Sequence, residues 1–183
     1  MTHKGTCEIQ TERLLLRRFT VNDAQKMYEN WAKDEEVTRF LTWPAHKSVN
    51  VTRMILESWV NGYEKPNVYQ WAIALQETPE EPIGSIAVVA LDENIKKAEV
   101  GYALGKPWWH QGIMSEALNA VIWFLIKNVG FNRIEARHDA NNPRSGAVMK
   151  RCGMTYEGTL RLSDKNNQGI CDACWYSILA EEK

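Results

Sequence analysis

Residues 98–139 constrain the fold more than any other stretch. "AEVGYALG" (98–105) has the small and apolar composition of a strand, and "KPWWHQGIM" (106–114) is a loop that carries Gly112. A helix follows from about Ser115 to Lys127, and "FNRIEARHD" (131–139) reads as a second strand. Strands joined through a helix pair in parallel, and such crossovers are right-handed. Any fold for this chain must therefore contain a β-α-β unit.

The flanking segments are arranged differently. "TERLLLRRFT" (11–20) reads as a strand. "VNDAQKMYENWAKDEEVTRFL" (21–41) has helical spacing at Ala24, Met27, Tyr28 and Trp31, with Asn22 or Asp23 as its cap. "NVTRMILESWVNGYEK" (50–65) repeats the pattern, with Met54, Ile55, Trp59 and Val60 expected on one face. "VYQWAIALQ" (68–76) and "IGSIAVVAL" (83–91) are strand-like, with "TPEEP" as the turn between them. "DENIKK" (92–97) then turns the chain back into residues 98–105 as an antiparallel hairpin. A short helix is expected from Pro143 to about Arg151, and "YEGTLRLS" and "CDACWYSILA" close the chain as strands around "NNQG". The fold class is α+β: a mixed, mostly antiparallel central sheet with one parallel strand pair and flanking helices.

With 183 residues, 44% of them hydrophobic, the chain is expected to be one domain over residues 1–183. Its net charge of -1 gives no basic face for nucleic acid. The longest apolar run, "AVIWFLI" (120–126), is too short to span a bilayer. "MTHKGTCEIQTERLLLRRF" has no signal-peptide core, so no membrane partner and a cytoplasmic location are expected. Cys171 and Cys174 lack the second ligand pair of a zinc site, and residues three apart on a strand point to opposite faces. No metal is expected.

Three readings compete for "PWWHQGIMSEAL" (107–118): a packing corner, a metal or proton-transfer site at His110, or an anion-binding helix start. The first N–H groups of a helix have no internal partner, and Gly112 would let a phosphate approach them. Ser115 adds a hydroxyl and Glu116 suits the first turn. Neither a Walker loop nor a G-x-G-x-x-G fingerprint is present. In "DANNPRSGAVMKRCGM" (139–154), Asn142 suits a helix cap, Pro143 its first position and Gly153 the residue past its end. Asn142 and Ser145 would then stand at the carboxyl edge of the sheet, beside the first helix start.

Together, "TERLLLRRFTVNDA", "AEVGYALGKPWWHQGIMSEAL", "DANNPRSGAVMKRCGMTYEG" and "CDACWYSIL" resemble the GNAT superfamily of N-acetyltransferases, in family order and over nearly the whole chain. The resemblance is to the RimJ/RimL-type branch, which acetylates N-termini of ribosomal proteins. The superfamily loop, Q/R-x-x-G-x-G/A, falls on Trp109 to Met114, keeping Gly112 but with Trp109 first and Met114 last. The resemblance implies acetyl-CoA as cosubstrate. Its pyrophosphate would lie on the amides of Gln111, Gly112, Ile113, Met114 and Ser115. Its pantetheine arm would lie between splayed strands 98–104 and 132–139, beside the backbone of Tyr102, Ala103 and Leu104. Asn142 would bond the arm or the adjacent loop.

The implied reaction is direct attack of a primary amine on the thioester. Many family members protonate the leaving thiolate with a tyrosine where this chain has Met149, and Ser145 is the branch's substitute. Alternatively, Ser145 only bonds the helix start. Two carboxylates are candidate bases: Glu99, on the strand where histone-type relatives carry a glutamate, and Asp164, where RimL-type enzymes place a carboxylate. Asp164 is preferred. A peptide α-amine, with pKa about 8, needs less help than lysine at about 10.4, which suits a protein N-terminus as acceptor. Acceptor contacts would come from residues 28–46 and 160–170. A polyamine, an aminoglycoside, or a non-catalytic CoA-binding role are the alternatives. A monomer or homodimer is expected by the same likeness.

Overall fold

The computed structural model describes residues 1–183. Its strands are β1 (Ile9–Gln10), β2 (Leu14–Arg17), β3 (Gln70–Leu75), β4 (Thr78–Asp92), β5 (Lys97–Leu104), β6 (Arg133–Asp139), β7 (Thr155–Asn166) and β8 (Gly169–Leu179). The helices are α1 (Ala24–Met27), α2 (Glu35–Thr38), α3 (Val49–Gly62), α4 (Ile113–Trp123) and α5 (Pro143–Arg151). All eight strands form one sheet in the order β1-β2-β3-β4-β5-β6-β8-β7. Every neighbouring pair is antiparallel except β5 and β6, which α4 joins. The α+β architecture with one parallel pair is as the β-α-β reading requires.

Two apolar cores lie on the two faces. On one, α4 and α5 pack through Ile113, Met114, Ala117, Leu118, Val121 and Met149 against strand residues such as Trp71, Ile86 and Val100. On the other, Phe19, Met27, Trp31 and Leu56 cover Ala72 and Ala103. Trp31 and Trp71 are wholly buried, and burying a side chain of that size contributes about 1.5–3 kcal/mol or more.

Several expected boundaries move. The segment 21–41 is not one helix: a 3-10 turn (Val21–Asp23) leads into α1, a π-helical turn (Tyr28–Ala32) and then α2. Asp23 does not cap by facing forward. Its carboxylate accepts the Thr20 N–H at 2.7 Å and binds Arg17 in a bidentate pair at 2.8 and 2.9 Å. In α3 the buried residues are Thr52 and Leu56, while Met54 is 69% exposed and Ile55 38%, so the expected apolar face is rotated. "TPEEP" is not a turn but the start of β4, and Pro82 is accommodated by bulges opposite Ala74. The crossover helix starts at Ile113 and continues past Trp123 as a π-helical stretch to Val129.

Candidate active site

The parallel ladder is short. Lys97, Ala98 and Glu99 pair with Arg133, Ile134 and Glu135, and beyond them β5 and β6 part. On its other edge β5 stays paired with β4 as far as Leu104. Gly105 N–H donates to the Ile83 oxygen at 2.8 Å, and main-chain groups alternate sides along a strand. Gly101 and Ala103 therefore turn their main-chain groups to β4, while Tyr102 and Leu104 turn theirs to the gap. Of the three residues expected to line the gap by backbone, Ala103 faces the other way. The Leu104 oxygen is taken by the Trp109 indole N–H at 2.7 Å.

The loop after β5 ends in the helix start read from sequence. Gly112 has φ 77° and ψ 0°, left-handed backbone that only glycine adopts readily. The first intrahelical bond of α4 runs from Glu116 N–H to the Gly112 oxygen at 3.0 Å, so the N–H groups of Ile113, Met114 and Ser115 precede the ladder. The side chains of Ile113 and Met114 point into the core. This orientation lets a bulky Met114 stand where the superfamily has Gly or Ala. Gln111 is held from both ends: its Nε2 donates to the Pro107 oxygen at 2.8 Å and its main-chain oxygen accepts from Arg13 Nη1 at 3.0 Å. His110 is exposed, with φ 62°, and no group of three or more His, Cys, Asp or Glu side chains is arranged to hold a metal.

Glu116 anchors the loop to the beginning of β2. Its carboxylate accepts from Thr11 Oγ1 at 2.6 Å, Arg13 N at 3.0 Å and Arg13 Nε at 2.7 Å. Burial pushes its pKa up, but these bonds and the Arg13 charge outweigh burial and the net shift is down. Arg13 and Glu116 thus fix the loop's shape, a role the sequence reading had not given to Arg13.

Asn142 stands in the cap position of α5 but makes no capping bond; its own N–H donates to the Asp139 oxygen at 2.7 Å. Ser145 N–H bonds the Asn142 oxygen at 3.2 Å, and its hydroxyl lies 2.9 Å from the Tyr102 hydroxyl. Gly153 has φ 81° past the helix end, as expected. Met149 is buried in the core.

Glu99 and Asp164 meet on the opposite face of the sheet, around a residue that the sequence reading had not singled out. Arg137 donates through Nη1 to Glu99 Oε1 and through Nε to Asp164 Oδ2, the latter at 2.7 Å. Its guanidinium lies 5.2 Å over the Trp175 ring. Burial raises the pKa of Glu99, and the opposing pull of Arg137 does not cancel it. For Asp164 burial acts the same way, but the Arg137 hydrogen bond and the Lys165 N–H reverse it and the net shift is down. Arg137 was legible in principle: Arg133, Glu135, Arg137 and Asp139 are charged at period two, a fully charged face on an interior strand.

The two sides meet only at the gap. Tyr102 and Ser145 lie on the α5 face, and Glu99, Arg137 and Asp164 on the face of α1 and α3. Above the second group, Asn167 Nδ2 donates to the oxygens of Thr38 and Trp43, each at 2.8 Å. The turn between β7 and β8 is thereby pinned to the loop after α2, which joins two segments expected to contact the acceptor. Cys171 and Cys174 are both free thiols, three residues apart on β8. Cys171 packs beside Asn166, and Cys174 lies 3.1 Å from Thr159 Oγ1.

The acetyltransferase (GNAT) domain profile matches residues 13–155, covering β2 to the first residue of β7. The chain belongs to the GNAT acetyltransferase family. An uncharacterized N-acetyltransferase p20 of Bacillus licheniformis is 29% identical over 95% of this chain and 97% of its own length. A ribosomal-protein-serine acetyltransferase of Escherichia coli is 26% identical over 94% and 96%. Among solved structures, RimL, a ribosomal L7/L12 α-N-protein acetyltransferase in complex with coenzyme A, superposes with a TM-score of 0.84 at 22% identity, over 97% of this chain and 100% of that one. The GNAT chain described here is thus an N-acetyltransferase of the kind related to ribosomal-protein acetyltransferases. No helix in it is long and apolar enough to cross a membrane.

Proposed function

We propose that this GNAT protein transfers the acetyl group of acetyl-CoA to a primary amine, a protein N-terminal α-amine, in a ternary complex. The observation that carries the reading is the parting of β5 and β6 after Glu99 and Glu135, with the Gly112 helix start at the mouth of the gap. Unladdered N–H groups at Ile113, Met114 and Ser115, next to Gln111 and Gly112, suit a pyrophosphate. The open edge at Tyr102 and Leu104 suits an amide-bearing arm, with Asn142 beside it, while Ala103 turns its main chain to β4.

Acetyl-CoA supplies the thioester carbonyl. A main-chain N–H of Tyr102 or Leu104 faces the gap and can donate to the developing oxyanion. As the amine nitrogen bonds to carbon and the carbon–sulfur bond breaks, the amine proton passes to a carboxylate and the sulfur leaves as thiolate. Glu99 is the more basic of the two candidates, because burial raises it where Arg137 and Lys165 lower Asp164. Glu99 is therefore assigned as the acceptor of that proton. Asp164, the carboxylate that the RimL-type resemblance favours, holds Arg137 in place. The Ser145 hydroxyl, on the far face of the gap, serves the sulfur.

Thiol release from acetyl-CoA, measured against N-terminal peptides, polyamines and aminoglycosides, tests this reading. Turnover with peptides carrying a free α-amine, and none with the same peptides N-acetylated, is expected. Turnover with a polyamine or aminoglycoside alone would move the acceptor class. Coenzyme A binding with no turnover on any amine would leave only the binding-module reading.

A further inference from the structure

Ser145 is the only hydroxyl side chain on α5, and Met149 occupies the position of the family's tyrosine. A lone serine is a weak partner for a departing thiolate. Its proton is free to rotate, and any acceptor nearby can capture it. The structure places a second hydroxyl against it. Tyr102 projects from β5 toward α5, and its oxygen lies 2.9 Å from Ser145 Oγ and 3.1 Å from the Ser145 main-chain oxygen.

Resting on the acetyltransferase reading, we propose that Tyr102 is a positioning residue whose hydroxyl donates to Ser145 Oγ and so turns the serine's own proton toward the leaving sulfur. The pair holds two protons. When Tyr102 donates to the Ser145 main-chain oxygen, the serine proton can point back at Tyr102. When charge grows on sulfur, the Tyr102 proton rotates to Ser145 Oγ and the serine proton turns outward. No covalent bond to oxygen or hydrogen changes; only two hydroxyl rotors move. Burial drives the Tyr102 pKa well above the ordinary phenol range, so the group stays a donor and does not become a phenolate. The α5 helix that carries Ser145 is itself packed into the core through Met149, which keeps the pair in register.

The backbone of Tyr102 and its side chain then have separate duties, one in the plane of the sheet and one out of it. The main chain faces the gap, and the hydroxyl reaches Ser145. Contact with α5 is set by the side chain's direction, between residues 43 positions apart in the chain.

A double-mutant cycle tests this on the full chain, with kcat and the KM for acetyl-CoA measured for wild type, Y102F, S145A and Y102F/S145A. Loss of one hydrogen bond to a group that meets developing charge corresponds to about a tenfold fall in kcat. Tyr102→Phe is expected to show that fall with KM for acetyl-CoA unchanged, and to have no further effect once Ser145 is Ala. The loss should also shrink with an acetyl thioester of a more acidic thiol, whose sulfur needs less help. Tyr102→Met, a smaller but adaptable apolar side chain without a hydroxyl, must show the same dependence on Ser145, and it carries the test if the Phe variant does not fold. Wild-type kcat in both Tyr102 variants, or a loss of equal size with and without Ser145, would overturn this proposal alone. Absence of turnover by the wild type on every amine would overturn the acetyltransferase reading and this proposal with it.

Discussion

The indole N–H of Trp109 donates to the main-chain oxygen of Leu104 at 2.7 Å, so the loop that precedes α4 is tied to the end of the strand that borders the gap. Arg144, from the first turn of α5, covers the same ring at 5.4 Å. A cation is ordinarily misplaced at a helix N-terminus, and here it is held against an aromatic face. Trp109 stands where the superfamily writes Gln or Arg, and its work is to fix the loop against both flanking elements. Trp109→Phe keeps an aromatic face, smaller than the indole, and removes the bond. It is expected to lower stability by about 1 kcal/mol and to raise the KM for acetyl-CoA more than it lowers kcat. Steady-state kinetics with a thermal melt would check both.

Gly112→Ala isolates the effect of backbone conformation at the helix start. A Cβ there would meet only the Arg13 guanidinium, at 3.6 Å, an ordinary contact. The penalty comes from φ 77° and should be about 1–2 kcal/mol, which for a chain of this size lowers Tm by a few degrees. Calorimetric titration with coenzyme A should show weaker binding by the folded variant. Unchanged affinity would take the pyrophosphate away from this loop.

Gly146→Ala tests the packing under Ser145. An added Cβ would lie 2.6 Å from Nε2 of His138, a buried ring whose Nδ1 bonds the Asp139 main-chain oxygen at 2.7 Å. The ring cannot give way without losing that bond or its stacking on Tyr176. Overpacking of this kind lowers stability by about 1–3 kcal/mol. Denaturant unfolding would measure it, and any movement of α5 should lower kcat as well, by displacing Ser145 from Tyr102.

The pH dependence of kcat should distinguish the two carboxylates. Burial, the largest influence on it, raises the Glu99 pKa from its ordinary value, so the acidic limb should follow its loss of a proton as pH rises. The Asp164 charge raises Glu99 further and also competes for Arg137. Asp164→Asn should therefore move the limb to lower pH while retaining activity. Glu99→Gln should abolish the limb and lower kcat by about 10²–10⁴. A limb that survives Glu99→Gln and disappears in Asp164→Asn would make Asp164 the base.

The β-α-β unit, the antiparallel remainder and the Gly112 helix start could all be read from sequence, because period, glycine placement and connection length are local signals. The inward face of α3 could not. Met54 and Ile55 look like core, but tertiary packing places Thr52 and Leu56 inward instead. "TPEEP" reads as a turn by composition, and only its pairing with β3 makes it strand. At the site, Glu99, Asp164 and Ser145 were visible as residue types at family spacing. Arg137, Arg13 and the Tyr102 hydroxyl were not, since each acts through contacts between segments far apart in the chain. The resemblance to RimL-type enzymes favours Asp164 over Glu99, but a family position carries no information about how deeply each carboxylate is buried or which bonds it accepts.

Incubation of the protein with acetyl-CoA and a peptide bearing a free N-terminus, followed by mass spectrometry of the peptide, tests the central claim most directly. One acetyl group on the α-amine, released thiol in equal amount, and loss of both in the Glu99→Gln variant are the predicted result. Intact peptide and unconsumed acetyl-CoA, with every amine class tried and with coenzyme A still bound, would contradict the account.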